Sequence, residues 1–396
     1  MKIAKYVPLA LAVALVISMV SYAQFTLSAS AGENDVTLRV GYPDSLDESD
    51  VTDQYAFQLL AAEGIHLIPT FYGAAPLSYQ ALLAGQQDIA YDETMGSLIS
   101  GQDTTCVGGY ELGGVFLAVA GENITSPSQL LGKTAADFGP GSILRYLNDY
   151  WFEQAGIAVN TQGPNPNSVF LEAGGENVET VHDLESGQAQ EIVVDDFILA
   201  DLESSSVNNT AHGGPFHVLF YSPTNFYNSC YAVRDDWLSN PSNQMVLEKF
   251  LAAIYEAQRH FILNPNQFVT FAEQQLPETA PLEIQFASTF YPAQLAYWPY
   301  GLYNLQGNES LQIKYNNTNQ FFITAGVLKT PVANDSVQPY GVFNKYFELQ
   351  AIQMMAPYAY PDESWVTPTF ATDLKEWVPS WMFAGSVSPS TNTGSE

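Results

Sequence analysis

Two stretches of this chain run an apolar segment straight into acids. Tyr79–Thr94, YQALLAGQQDIAYDET, closes on Tyr91, Asp92, Glu93 and Thr94. Val181–Phe197, VHDLESGQAQEIVVDDF, closes on Asp195, Asp196 and Phe197. Carboxylates beside aromatic rings can hold an organic cation or an amine-bearing heterocycle, through charge pairing and cation-π contact. Tyr42, in the strand Leu38-Arg39-Val40-Gly41-Tyr42-Pro43, adds a further ring. Gly141, Ser142 and Ile143 offer the opposite chemistry. The turn Gly139-Pro140-Gly141-Ser142 feeds a helical pattern from Ile143, and a helix N-terminus presents free backbone N–H groups to a polar or anionic atom. Each feature has a plainer meaning, since acids are often solvated loop residues and Gly-Ser turns are often simple helix caps. Recurrence at two matching strand ends favours the lining. Tyr110 and Glu111 are weaker candidates.

No catalytic constellation accompanies these residues. The histidines, 66, 182, 212, 217 and 260, show no metal-ligand spacing, and His212/His217 is at best a loop pair. Neither a Gly-x-Ser-x-Gly elbow nor a phosphate loop is present. Acid pairs can be drawn anywhere among 42 carboxylates, so they point to no glycosidase. The expectation is a protein that is not an enzyme and has no cofactor or metal.

The elements that must carry the lining follow from periodicity. Tyr79, Leu82 and Leu83 share a helical face, Gly85 stops that helix, and Asp88–Tyr91 forms a short buried strand. Before it come a strand at 38–43, a helix at Val51–Glu63 stopped by Gly64, and a strand at Ile65–Tyr72 interrupted at Pro69. This is β-α-β-α-β, the start of a doubly wound parallel sheet. Thr105–Val119 reads as strands leading out of a first lobe. A Ser126-capped turn, a strand at 134–137, the helix Ile143–Gln154, a strand at 169–171 and the echo unit 178–197 build a second lobe. His217–Tyr221 reads as the strand returning to the first lobe and Tyr227–Arg234 as its continuation. Long helices follow at 242–263 and 267–275, then an aromatic-rich region, a short helix at 320–326 and a helix at 343–355.

Charge and composition bound the partners. The 396 residues hold 12 Lys+Arg against 42 Asp+Glu, a net charge of −30. Phosphate binding needs basic patches, so nucleic acid is excluded. A surface short of bases and rich in Tyr, Asn and Gln fits a wall-facing or acidic exterior. Lys2 and Lys5, an apolar run from Val7 to Val20 and Ser21-Tyr22-Ala23 have the order of a signal peptide cleaved after Ala23. Retention as a membrane anchor is the alternative. Sequons at Asn123, Asn208, Asn308, Asn316 and Asn334 agree with export and with possible N-glycosylation. Cys106 and Cys230 either pair in an oxidising exterior or sit as two separate buried thiols.

Taken together, LRVGYP at 38–43, ALLAGQQDIAY at 81–91, GPGSILRYLNDYWFEQAGI at 139–157, DLESGQAQEIVVDDF at 183–197 and the stretch 231–265 resemble the solute-binding proteins of ABC transporters. The resemblance is to the two-lobed group serving nitrate, sulfonate, taurine and thiamine-precursor uptake. It implies an α/β, two-lobed type II periplasmic-binding-protein fold with a hinge, a small-molecule ligand and an ABC permease as membrane partner. The organisation expected on this basis is an N-terminal signal or anchor (1–23), a tether (24–35), lobe 1 (36–120 and 222–330) and lobe 2 (121–221). A C-terminal extension (331–386) and a disordered tail (387–396) lie beyond the resemblance. Asp195-Asp196-Phe197 departs from the Asp-Ala run into a Trp- or Pro-containing turn that sulfonate and nitrate members carry, and no Lys or Arg stands at the cleft-facing strand ends. The expected ligand is therefore cationic or an amine heterocycle. The alternative is a cell-surface or wall protein on the same fold, with contacts through the aromatics at 286–303 and the C-terminal extension. A second alternative is a receptor for a small anion such as sulfonate or nitrate.

Overall fold

A computed structural model of the chain describes residues 35–43, 50–73, 75–93, 101, 103–109, 116–121, 123–175, 177–195, 198, 202, 216–222, 229–276, 319–324, 326–332, 344 and 346–355. All of the elements below belong to the unit Val36–Glu396.

The first sheet has the order β2-β1-β3-β11-β4. Its strands are β1 (Val36–Tyr42), β2 (Ile65–Phe71), β3 (Ile89–Glu93), β4 (Thr104–Gly109) and β11 (Ser229–Arg234). β1 pairs in parallel with β2 and β3, while β11 lies antiparallel between β3 and β4. The helices α1 (Val51–Ala62) and α2 (Ala75–Leu83) form the crossovers. Pro69 does not interrupt β2 as expected, and it sits in register with Val40. Among the described residues β2 is an edge strand of its sheet, and Pro is tolerated at an edge.

The second sheet has the order β10-β5-β9-β6-β8-β7. It holds β5 (Phe116–Ala120), β6 (Thr134–Asp137), β7 (Val159–Asn160), β8 (Val169–Ala173), β9 (Glu191–Asp195) and β10 (His217–Ser222). The helices α3 (Ile143–Gln154) and α4 (Asn177–Ser186) cross between its parallel strands. The two sheets repeat one plan: β8-β6-β9-β5-β10 matches β2-β1-β3-β11-β4 strand for strand. In each, the third parallel strand lies beside an antiparallel strand that the chain contributes around its passage between the lobes.

The echo units are therefore structural equivalents, and they are stopped alike. α2 ends at Gly85 and α4 at Gly187, with φ of 72° and 75°. Each glycine N–H closes the last turn, onto Leu82 O at 2.9 Å and Leu184 O at 3.1 Å. Arg234 completes the first stop by donating to Leu82 O at 3.0 Å and to Gln87 O at 3.3 Å.

Three expected boundaries shift. β5 pairs with β9 and β10, so residues 116–120 belong to the second lobe. β10 stays in that sheet, and it is β11 that rejoins the first. Later the chain visits both cores again. Phe321 and Phe322, in the helical residues 319–324, pack with Trp151, Phe152 and Phe220 of the second lobe. Helix α7 (Tyr346–Met355), expected in an appended extension, inserts Phe347 and Ala351 into the first-lobe core. There it lies against the long helix α5 (Pro241–Leu263), which is followed by α6 (Pro265–Gln275). Both regions carry large apolar side chains that each lobe needs to close its core.

Cys106 of β4 and Cys230 of β11 are joined in a disulfide, with Cα atoms 5.7 Å apart. It staples the outgoing strand to the returning one.

Candidate functional site

The candidate cleft lies where the parallel strands of the two sheets end. In the first lobe, β1 ends at Tyr42 and α1 begins nearby with Thr52 and Asp53. Tyr42 is fully buried, with its ring 5.5 Å from that of Phe71 and 6.3 Å from that of Phe57. Its hydroxyl donates to Asp53 Oδ2 at 2.7 Å. Tyr231 of β11 donates to both oxygens of the same carboxylate at 2.9 Å. Burial pushes the Asp53 carboxyl up to about 7, and the two tyrosine hydroxyls act against that rise. Tyr42 is thus a core residue that fixes a buried acid, a correction to its expected place in the lining. Asp53 itself escaped notice because an acid in a helix's first turn usually means a solvated, dipole-favoured start.

β3 carries Tyr91, Asp92 and Glu93 at its carboxyl end. Tyr91 is buried in the first-lobe core, opposite Tyr231. Asp92 and Glu93 occupy the last two positions of the strand, opposite Cys230 and Ser229. Asp195 ends the equivalent strand β9, opposite Phe116. Thr94, Asp196, Phe197, Tyr110 and Glu111 lie outside the described residues, as do Asn208, Asn308, Asn316 and Asn334. Asn123 is exposed in the turn after β5.

The Gly-Ser turn behaves as a cap and as a contact. Ser142 Oγ accepts from Leu144 N at 3.1 Å, which makes it the N-cap of α3. Ile143 is buried in the second-lobe core, so its side chain is no lining group. Gly141 has φ of +106°, and a Cβ built on it would lie 3.4 Å from Pro76 Cγ in the first turn of α2. The N-termini of α2 and α3, from opposite lobes, thus meet at these two residues.

Beneath this turn lies a buried polar group that residue types alone did not reveal. Asp137, the last residue of β6, receives Arg145 Nε at 2.6 Å on each oxygen. Gly139 N donates to its Oδ1 at 2.8 Å, and Asn148 Nδ2 reaches Oδ2 at 3.4 Å. Asp137 thereby ties the end of β6 to the turn and to α3. Burial pushes its carboxyl up, with the Arg145 charge opposing. Glu191, at the start of β9, is also fully buried.

No protein-family model matches the sequence, and no curated protein matches it. Solved structures do. The ligand-binding component of an ABC-type import system from Staphylococcus aureus, with zinc bound, aligns at a TM-score of 0.52 and 12% identity, covering 75% of this chain and 94% of that one. A conserved Candida albicans gene product, described as having the generic periplasmic binding protein fold, aligns at 0.53 and 12%, covering 74% and 91%. The alkanesulfonate-binding protein of Xanthomonas axonopodis pv. citri, bound to MOPS, aligns at 0.51 and 13%, covering 76% and 97%. This is the periplasmic-binding-protein fold. At such identities the likeness concerns the fold, and the chemistry of the cleft rests on this chain's own residues. Among the described residues of this periplasmic-binding fold, no group of three or more His, Cys, Asp or Glu could hold a metal ion. No described helix is long and apolar enough to cross a membrane.

Proposed function

We propose that this protein is an exported receptor that captures a small organic molecule between its two lobes and hands it to an ABC permease. The observation that carries the reading is the meeting of Pro76 and Gly141, which brings matching helix N-termini of the two lobes together at the strand-end crevice. A ligand bound there would touch both lobes, and only a ligand that touches both can shift an open state toward a closed one. The signal-like N-terminus and the disulfide agree with export.

A cationic or amine-bearing heterocyclic ligand is the favoured class. Asp92 and Glu93 on β3 and Asp195 on β9 stand at the equivalent ends of equivalent strands. A small anion is the second reading. The opposed N-termini of α2 and α3 favour it, and a fold neighbour from Xanthomonas binds alkanesulfonates.

The test is thermal stability of the chain lacking residues 1–23 against amines, thiamine-like pyrimidines, amino acids, sulfonates and nitrate. A ligand at a hundred times its dissociation constant adds about 2.7 kcal/mol. A cation hit that is weakened by Glu93→Ala and Asp196→Ala supports the acidic lining, and unchanged affinity in both variants overturns it. Hits confined to anions move the site to the helix N-termini. No hit, with concentration-dependent assembly, replaces the receptor by a surface or wall component.

A further inference from the structure

Among the described residues, two asparagines have a Ser or Thr two places later, and the fold treats them oppositely. Asn240 is committed. Its Oδ1 accepts from Ser242 N at 3.0 Å, which caps α5, and Pro241 stands between the two. Pro fixes φ and removes a backbone N–H, and it disqualifies an acceptor triplet for N-linked sugar. Asn123-Ile124-Thr125 has neither restraint. Asn123 and Thr125 are exposed, while Ile124 between them is only 6% exposed and packs in the second-lobe core. The two side chains that define the triplet face solvent, and the middle one anchors it.

The turn that presents them is held by its own backbone and by one glutamine. Ile124 N donates to Gly121 O at 2.9 Å, which closes a tight turn after β5. Gln129 Oε1 accepts from Thr125 N at 2.7 Å and from Ser126 N at 2.9 Å. Thr125 Oγ1 donates to the same oxygen at 3.2 Å. The place of the turn matters as much as its shape. β5 runs antiparallel to β9, with Phe116 opposite Asp195 and Ala120 opposite Glu191. Asp195 ends β9 at the cleft, so β5 leads away from it. The rise of β5 puts Ala120 about 13 Å from the cleft rim, and Asn123 lies beyond Ala120.

We propose that Asn123 is an N-glycosylation site, and that its sugar stands on the pole of the second lobe opposite the cleft. The acceptor is Asn123 Nδ2, and the donor is an activated sugar, a glycosyl phosphate ester handled by a transferase. The bond from Nδ2 to the anomeric carbon forms as the bond from that carbon to the phosphate oxygen breaks. The phosphate leaves with the electron pair, and one Nδ2 proton passes to a base of the transferase. A bulky, solubilising group at this pole leaves the strand-end crevice open, so the lobes can close with the sugar in place. The inference rests on the export part of the proposed function and not on the ligand.

The experiment is peptide mapping by mass spectrometry of the full chain purified from its own cells, with the exported and intracellular fractions kept apart. Chymotrypsin suits it, since Leu117 and Leu130 flank the triplet. In the exported fraction the peptide with Asn123 is expected to carry the added mass of whole sugar residues. That mass should be lost in Asn123→Gln and in Thr125→Ala and kept in Thr125→Ser, which preserves the hydroxyl that the triplet requires. An exported chain with a bare Asn123 peptide overturns the proposal and leaves the receptor standing. A sugar that survives Thr125→Ala overturns it too, because the triplet is then not what directs the modification. A chain found only inside the cells overturns the proposal together with export, so the two failures are told apart.

Discussion

Gly141 and Pro76 meet from opposite lobes: a Cβ added to Gly141 would lie 3.4 Å from Pro76 Cγ, and Gly141 has φ of +106°. That distance is ordinary van der Waals contact, so the backbone and not the neighbour demands glycine. Gly141→Ala is expected to lose about 1–2 kcal/mol of stability through strain in the positive-φ region. It should also weaken ligand binding, because the turn that meets the first lobe is the one distorted. Thermal melts of Gly141→Ala and of Gly141→Ala with Pro76→Ala separate the causes. Recovery of stability in the double variant would show a steric clash and reject the backbone account.

Asp53 sets a pH dependence with a definite sign. Its carboxyl is raised from 3.8 to about 7 in the folded protein. The stability it contributes is fully present below the unfolded value and is lost as pH rises through the folded one. That loss is on the order of 4 kcal/mol between the two values, and the curve is flat above them. Asp53→Asn stays neutral, still accepts a tyrosine hydroxyl, and should remove this part of the slope. Melting temperatures from about pH 4 to pH 8 check it, and an undiminished slope in Asp53→Asn would assign the titration elsewhere.

Cys106 and Cys230 are separated by 124 residues, and both are buried. A cross-link closing so long a loop removes much of the unfolded chain's freedom. Replacing both with Ala should cost about 2–5 kcal/mol, read by chemical denaturation. The bond joins β4 to β11, so the loss should appear first as protease sensitivity in the first lobe. Equal sensitivity in both lobes would mean that the bond serves the whole chain.

Local pattern and global placement separate cleanly in this chain. The helix expected at Ile143–Gln154 has those bounds, and the echo units occupy equivalent places in both sheets. Gly85 and Gly187 mark them because a positive φ after a helical face leaves a signature in residue type. Placement left no such signature. Phe116–Ala120 is buried throughout, and an apolar run of that kind fits the middle of either sheet. The aromatic pairing of Tyr146 with Phe322 joins positions nearly half a chain apart. The candidate site was legible as strand ends and a capped turn. Asp53, Asp137 and Glu191 were not, because a lone acid in a sequence carries no sign of being buried. Tyr42 was misplaced for the matching reason: its ring suits a ligand pocket and a core equally well, and only Asp53 decides between them.

Helix α7 decides how far the folded protein extends. Its Phe347 and Ala351 are buried against the first-lobe core, and Asn344 N donates to Cys106 O at 2.9 Å just before it. An appendage could be removed without effect, whereas a core element could not. Phe347→Ala should cost about 3–5 kcal/mol through lost apolar burial and the cavity left behind. A chain ending at residue 342 should lose more, since α5 and β4 would both be uncovered. The second lobe should hold, because residues 319–332 close its core and remain in the shortened chain. Limited proteolysis of the shortened protein should therefore cut the first lobe and spare the second. If it melts and resists protease like the full chain, α7 contributes nothing to the fold and its packing against α5 is incidental.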